Sequence, residues 1–213
     1  MIYFLSDLHG WYESKDFAEY LTQPHEKDLL IVLGDTQLGF PNNEEFTKRF
    51  LSTKNPIALV DGNHENHDFL FSCPTEEWNG GIVNRLSENV VYLRRGNIYT
   101  IEGKTFFVFG GCRSSAKWRE MGLYFPRQEA SEEEYEFAYK NLAKNGNKVD
   151  YVLSHKYSKD RTDQYLVEGL CALTEFIDEK VDFKKWYFGH THIPANIDER
   201  HTCVFLDLVK IEE

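Results

Sequence analysis

The chain has 213 residues, of which 41% are hydrophobic and 15% aromatic, and its formal net charge is −11. This length suits one domain, residues 1–213, with a sizeable core, and the composition excludes a disordered chain. The acidic balance argues against a general surface for nucleic acid or anionic membranes, because such surfaces need an excess of lysine and arginine. No apolar run approaches the roughly 20 residues that a membrane-spanning helix needs.

The cysteine pattern and the first strand indicate the compartment. The four cysteines are scattered, and none forms a Cys-x-x-Cys pair. This argues against a zinc ribbon or a disulfide framework, favours a reducing compartment, and leaves most of them as small buried hydrophobic side chains. A strand that begins at Ile2 leaves no room for a signal peptide, so a cytoplasmic location is expected.

Three short apolar runs in the first 65 residues predict strands. They are Ile2–Leu5, Asp28–Leu33 and Ile57–Val60. Helical spacing predicts a helix over residues 13–22 and another that begins near Asn42. Repeated strand–loop–helix units of this kind predict a parallel sheet built from βαβ crossovers.

The middle of the chain changes to short β-rich runs separated by turns. Val90–Leu93, Asn97–Ile101 and Thr105–Phe109 have the spacing of hairpin or meander strands and suggest a second sheet. A stretch rich in basic and aromatic residues follows Gly110-Gly111. Ser131-Glu132-Glu133-Glu134 is then a capping box that predicts a helix.

The last third of the chain is expected to contain three strands and a helix. The strands are predicted over Val149–Leu153, Lys184–Phe188 and Cys203–Val209. A stripe of leucine and isoleucine over Leu166–Ile177 lies at helical spacing and predicts a helix that packs on the core.

Side chains that can bind metal ions follow five of these strands. Each set comes directly after an apolar run, where open α/β sheets hold their ligands. One Asp or His at a strand end is usually a cap, but five strand ends with the same chemistry indicate a shared site. The donors are Asp7 and His9, Asp35, Asn63 and His64, His155, and His190 and His192.

The donor types indicate which ions would bind. Imidazole, carboxylate and amide groups without cysteine suit Mn²⁺, Fe or Zn²⁺ rather than a structural zinc ion. This set of donors is larger than one tetrahedral ion needs, so two divalent ions are predicted, with Mn²⁺ first and Fe, Zn²⁺ or a mixed pair as alternatives. Two ions about 3.5–4 Å apart are the arrangement used for in-line displacement at phosphorus.

Five motif blocks of the chain resemble those of the calcineurin-like metallophosphoesterase superfamily. They are Asp7-x-His9, Gly34-Asp35, Gly62-Asn63-His64-Glu65, His155 and Gly189-His190-x-His192. The resemblance implies an α/β fold, a four-layer α/β/β/α sandwich of two mixed β-sheets flanked by helices. It also implies a hydrolase that cleaves a phosphomonoester or phosphodiester with a hydroxide that bridges the two metal ions.

The resemblance implies a role for each donor. One ion would be held by Asp7, His9, Asp35 and His192, and the other by Asp35, Asn63, His155 and His190. Asp35 would bridge the ions, and His64 would donate a hydrogen bond to a phosphoryl oxygen or protonate the leaving group. Asp35 and His64 are therefore the predicted catalytic residues.

The second block departs from the protein-phosphatase branch of the superfamily. Those phosphatases read Gly-Asp-x-x-Asp-Arg-Gly, whereas Leu38 and Gly39 stand here in place of the Asp that orients the histidine and the Arg that binds phosphate. Arg113 and Lys117 are candidate substitutes that would bind the substrate phosphate. The alternative is a solvated loop in which Trp118 packs on the core.

Several functions stay open on the sequence alone. The first is hydrolysis of a small phosphate ester, and the second is a serine/threonine-type protein phosphatase acting on a phosphoprotein. A nuclease is disfavoured by the net charge of −11. A scaffold without catalysis is disfavoured by the complete set of donors. The pattern makes no prediction of oligomeric state.

Overall fold

The computed structural model describes residues 1–10, 14–23, 25, 28–159 and 167–212. The strands in chain order are β1 (Ile2–Leu5), β2 (Leu29–Leu33), β3 (Ile57–Val60), β4 (Thr75–Trp78), β5 (Gly81–Arg85), β6 (Val90–Leu93), β7 (Ile98–Ile101), β8 (Lys104–Phe109), β9 (Tyr151–Ser154), β10 (Lys185–Phe188), β11 (Ala195–Asn196), β12 (His201–Cys203) and β13 (Val209–Lys210). The α-helices are α1 (Lys15–Thr22), α2 (Glu44–Leu51), α3 (His67–Ser72), α4 (Ala116–Glu120), α5 (Glu132–Lys144) and α6 (Glu168–Lys180). Single 3₁₀ turns lie at Pro41–Asn43 and Pro126–Gln128.

The strands form two mixed sheets. Within the described residues, the first sheet has seven strands in the order β13-β1-β2-β3-β6-β5-β4. The second has six, in the order β11-β12-β10-β9-β8-β7. Both contain parallel and antiparallel pairs. The predicted fold class, two mixed sheets flanked by helices, is confirmed.

Three hydrophobic layers hold the sheets and helices together. Side chains of both sheets, such as Ile31 and Tyr151, share the central layer. The other face of the first sheet packs on α1 and α2 through residues such as Val32 and Phe50. Every residue of β2 is buried because alternate side chains enter the two layers, which is typical of a parallel strand covered on both faces.

Two of the predicted helices begin at capping residues that the sequence provides. Ser14 caps α1, with its hydroxyl accepting a hydrogen bond from the amide of Phe17 at 3.2 Å. The capping box of α5 is present between Ser131 and Glu134. The stripe predicted over Leu166–Ile177 corresponds to α6, although Leu166 itself lies outside the described residues. None of the helices in the described ranges is both long and apolar enough to cross a membrane.

Two strand predictions are wrong. Val90–Leu93 belongs to the first sheet, where β6 runs parallel to β3, and not to a meander of the second sheet. The run Cys203–Val209 is not one strand but contains the end of β12 in the second sheet and the start of β13 in the first. Leu206 interrupts it with φ of 52°, because the chain must turn to cross between the sheets.

Candidate metal centre

The carboxyl ends of parallel strands from both sheets meet in one region. In the first sheet, β1, β2 and β3 are parallel, with Phe4 opposite Ile31. In the second sheet, β8, β9 and β10 are parallel, and Leu153 lies opposite both Val108 and Tyr187. The loops that leave these strands carry the predicted donors, as expected for a ligand site of α/β sheets.

Several of the predicted ligands have a left-handed backbone. The φ values are 61° at Asp7, 47° at His9, 55° at Asp35, 73° at His190 and 57° at His192. Such a conformation costs about 1–3 kcal/mol at a residue other than glycine, unless its surroundings hold it. The amide of Asp7 donates to the carbonyl of Gly34 at 3.0 Å, and that of His9 to the carbonyl of Asp35 at 2.7 Å. Strain concentrated at these positions indicates a functional site.

Two glycines let the strand ends approach each other. Gly34 has φ of +92°, and a Cβ there would lie 2.6 Å from Nδ1 of His155. A Cβ at Gly62 would lie 2.1 Å from Oδ1 of Asp35. Both distances are too short for real carbon atoms, so a side chain at either position would displace the donors.

The first group of donors contains Asp7, His9, Asp35 and His192, whose ligand atoms lie within 4.8 Å of one another. Nε2 of His192 lies 2.9 Å from Nε2 of His9 and 3.2 Å from Oδ1 of Asp7. Nε2 of His9 lies 3.6 Å from Oδ2 of Asp35. Tetrahedral ligands with bonds of about 2.0–2.1 Å lie about 3.3 Å apart, so these spacings suit a shared cation.

The second group lies on the other side of Asp35. Nε2 of His155 lies 3.2 Å from Nδ1 of His190 and 3.3 Å from Oδ1 of Asp35. The sulfur of Cys112 and the ligand atoms of the two histidines all lie within 4.8 Å of one another. Oδ1 of Asn63 lies 2.9 Å from that sulfur. All four ligands predicted for the second ion therefore lie in this group.

Asp35 faces both groups. It is 2% exposed, with Oδ1 toward His155 and Oδ2 toward His9, and Oδ1 also accepts a hydrogen bond from the amide of His64 at 2.8 Å. Burial opposes ionisation, but the nearby histidines, His155 first, hold the pKa of this carboxyl well below its usual range. The charged carboxylate can therefore serve two cations.

The surrounding backbone orients the ring of His155. Its Nδ1 lies 2.7 Å from the carbonyl oxygen of Leu33 and donates to it, which leaves Nε2 for Asp35 or for a metal ion. Burial favours the neutral ring, yet the charge of Asp35 raises the pKa of His155 to about 9. Burial lowers the pKa of His190 to about 3. Protonated His155 thus balances the negative charge of Asp35, as a bound cation could.

The donors fit divalent cations. Oδ1 of Asp7 is buried and accepts no hydrogen bond from a described residue, although Nε2 of His192 lies 3.2 Å away. A bound cation would satisfy this buried acceptor. The mixture of carboxylate and imidazole suits Mn²⁺, Fe or Zn²⁺.

His64 lies beside the donors. Its Nε2 is 4.0 Å from Oδ2 of Asp35, and its buried Nδ1 has no hydrogen-bond partner among the described residues. Leu38, at the position where phosphatases carry the orienting Asp, is buried in the core. The ring of Trp118 instead packs on His64, with 3.9 Å between the centroids. Burial lowers the pKa of His64 to about 4, although Asp35 opposes the shift, so the ring is neutral at pH 7.

The predicted phosphate-binding residues lie on the segment that follows β8. Nη2 of Arg113 lies 2.7 Å from Oε2 of Glu129, whose Oε1 accepts a hydrogen bond from Tyr124 at 2.9 Å. These three residues line a groove of about 460 Å³. Lys117 lies on α4 and is exposed. We name residues 113–129 the rim.

Cys112 is the donor that sequence reasoning missed. The expectation that most of the cysteines are small buried residues holds for Cys171, on the buried face of α6, and for Cys203, in the hydrophobic layer of the second sheet. For Cys112 it is incomplete, because the sulfur also lies 3.6 Å from Nδ1 of His190. Its position after β8 and Gly110-Gly111 is the sequence signal that could have drawn attention to it, although a cysteine there also suits the hydrophobic layer to which it belongs.

The sequence profile of the family described as calcineurin-like phosphoesterase matches residues 1–194. A symmetrical bis(5'-nucleosyl)-tetraphosphatase of Buchnera aphidicola subsp. Acyrthosiphon pisum (strain Tuc7) is 36% identical over 64 residues, which are 30% of this chain and 23% of that protein. The similarity to that relative thus covers less than a quarter of its length.

Two solved structures resemble this chain weakly. Phosphopantetheinyl hydrolase from Mycobacterium tuberculosis has a TM-score of 0.45 and 17% identity, over 96% of this chain and 89% of that chain. A protein of unknown function from Aquifex aeolicus has a TM-score of 0.41 and 16% identity, over 86% and 87%. Likenesses this weak add nothing to the profile match. That match takes in every candidate ligand, and the chain belongs to the calcineurin-like phosphoesterase family, a family of phosphate-ester hydrolases.

Proposed function

We propose that the protein is a metal-dependent phosphoesterase that hydrolyses a small phosphomonoester or phosphodiester. The observation that carries this proposal is the pair of donor groups on either side of Asp35. One ion would be held by Asp7, His9, Asp35 and His192, and the other by Asp35, Asn63, His155 and His190. We propose Mn²⁺ first for these positions, with Fe, Zn²⁺ or a mixed pair as alternatives.

The chain's own residues have distinct parts in this proposal. Divalent cations supply stabilisation of the charge on the phosphate and a water molecule of lowered pKa. Asp35 places one carboxylate between the two donor groups, and Leu33 fixes the ring of His155 through its carbonyl oxygen. His64 is neutral and its Nε2 faces the donors, so it can donate a hydrogen bond to a phosphoryl oxygen as negative charge develops there.

The rim supplies a cationic side chain that suits a phosphate ester. Its groove of about 460 Å³ is lined by rim residues and by none of the candidate metal ligands. Arg113 lines it and would contact a phosphate group. The relative named bis(5'-nucleosyl)-tetraphosphatase makes a dinucleoside tetraphosphate one candidate substrate. The net charge of −11 argues against nucleic acid.

We also propose a cytoplasmic location and a single domain over residues 1–213. All four cysteines are free thiols, which supports a reducing compartment. The central hydrophobic layer receives side chains from both sheets, which supports one domain.

A substrate panel tests the proposed activity. Protein stripped of metal is reloaded separately with Mn²⁺, Fe²⁺ or Zn²⁺ and assayed on p-nitrophenyl phosphate, its bis-ester, a dinucleoside tetraphosphate and a phosphopeptide. We expect metal-dependent hydrolysis of at least one small ester. Inactivity of every metal form on all small esters would contradict the proposal, and a strong preference for the phosphopeptide would favour a protein phosphatase instead.

A further inference from the structure

The thiol of Cys112 points into the second donor group, although none of the five motif blocks contains this residue. Its sulfur lies 3.6 Å from Nδ1 of His190 and 2.9 Å from Oδ1 of Asn63, and the residue is 2% exposed. The ligand atoms of Cys112, His155 and His190 all lie within 4.8 Å of one another. The sulfur is thus part of a cluster of ligand atoms.

The backbone before Cys112 fixes the position of this sulfur. The strand β8 runs parallel to β9, so the residues after it enter the site beside His155. The amide of Gly111 donates to the carbonyl of Asp61 at 2.7 Å, and a Cβ at Gly110 would lie 2.1 Å from Oδ1 of Asp61. The two glycines therefore let the chain pass close to the end of β3, and Cys112 comes next.

The spacings of the sulfur and the two histidines match near-tetrahedral angles at an ion that has one sulfur ligand. With a Zn–S bond of about 2.3 Å and Zn–N bonds of about 2.0–2.1 Å, a sulfur and a nitrogen lie about 3.6 Å apart, and two nitrogens about 3.3 Å apart. The corresponding distances are 3.6 Å between Cys112 and His190 and 3.2 Å between His155 and His190.

Asn63 gives a second indication that a ligand belongs here. Its Nδ2 donates to Oγ of Ser114 at 2.9 Å, which turns its Oδ1 toward the sulfur of Cys112. The thiol donates a hydrogen bond to this oxygen at 2.9 Å, so loss of the thiol proton would leave two acceptor atoms facing each other for a cation. The other buried thiols face hydroxyl groups, with Cys171 at 3.3 Å from Ser158 and Cys203 at 3.0 Å from Thr191.

We propose that Cys112 is a ligand of the second cation and makes that position prefer Zn²⁺ or Co²⁺ over Mn²⁺, which favours the mixed pair over two Mn²⁺ ions. The proposal rests on the metal centre of the proposed function and adds a donor to it. Thiolate ligands select the softer divalent ions, whereas carboxylates suit Mn²⁺. When the sulfur binds, its S–H bond breaks, a sulfur–metal bond forms, and the proton leaves to solvent. The first group, with two carboxylates, keeps its preference for harder ions.

Cobalt spectroscopy tests this without an activity assay. Metal-free protein is titrated with Co²⁺, and the near-ultraviolet spectrum is recorded for the wild type, Cys112→Ser and the matched control Cys171→Ser. We expect a sulfur-to-cobalt charge-transfer band in the wild type and in C171S, and its loss in C112S. X-ray absorption of the zinc form should show a sulfur neighbour at about 2.3 Å.

Competition between metals measures the predicted preference. In C112S, the affinity for Zn²⁺ should fall by at least about 10–100-fold, the range seen when groups around a metal site are removed, while affinity for Mn²⁺ changes little. If two ions bind to the wild type without the band, or if the band persists in C112S, Cys112 is not a ligand. If no ion binds at all, the proposed metal centre is wrong as well. Should C112S fail to fold, the wild-type spectra and the variant Cys112→Ala still decide whether Cys112 is a ligand.

Discussion

The ligands at the strand ends and the rim lie side by side but are held in different ways. Asp7 and His9 are fixed by backbone hydrogen bonds between neighbouring loops, and His155 is fully buried. On the rim, the side chain of Arg113 is 45% exposed and is held by an ion pair with Glu129. Exposed pairs of this kind contribute about 0.2–1 kcal/mol, so the rim can change at little cost in stability. The candidate metal ligands are therefore held by the sheets, whereas the candidate substrate contacts lie on the more weakly held rim.

The largest effect is expected at the carboxylate between the donor groups. Asp35→Asn removes a charge that faces both groups, so both ions should bind far more weakly and activity should fall by at least about 10³-fold. Metal content and turnover are measured together. Asp182→Asn, at an exposed ion pair with Lys148, is the matched control and should keep both ions. Full metal occupancy in D35N would refute the bridging role.

His64→Ala is expected to have the second largest effect. His64 is not one of the proposed metal ligands, so the metal content of the variant should be unchanged. Its kcat should fall by about 10²–10⁴-fold. His25→Ala serves as the control, because His25 stacks on Tyr20 and pairs with Asp28. Unchanged turnover in H64A would remove His64 from the mechanism.

Trp118→Ala tests whether the rim positions the ring of His64. Loss of an aromatic contact worth about 0.5–1.5 kcal/mol should lower kcat by roughly 2–12-fold, because the ring of His64 loses its packing partner. Trp118→Phe should restore most of the rate. A change in KM with unchanged kcat would show instead that the indole contacts substrate.

Arg113→Ala should give the smallest effect. Its guanidinium is already paired with Glu129, so a phosphate must compete for it, and KM should rise by only about twofold to fivefold. The free energy of unfolding should fall by less than about 1 kcal/mol. A rise in KM of a hundredfold or more would make Arg113 the principal phosphate ligand and would bring the rim closer in importance to the strand-end residues.

The strand-end donors were predictable because their signal is local. Each follows a short apolar run, and parallel strands place such residues at one edge whatever the rest of the chain does. The position of β6 was not predictable in this way, because a run of four apolar residues looks the same in either sheet. The turn at Leu206 was also missed, since only the crossing between the sheets requires it.

The rim and Cys112 depend on contacts between distant residues. The ring of Trp118 meets His64 across 54 positions of sequence, and the sulfur of Cys112 meets His190 across 78. A cysteine at a strand end suits a hydrophobic layer as well as a metal site, and only its neighbours in space distinguish the two.

The sequence by itself determined the candidate ligands, because polar side chains after short apolar runs are a property of short segments. The five motif blocks added the resemblance to the family and the two-sheet fold that it implies. The resemblance implied two donor groups with Asp35 between them, but only the tertiary structure gave the distances within each group and placed a thiol in the second. The physical reason is that these distances arise from the packing of one sheet on the other, which no short segment encodes.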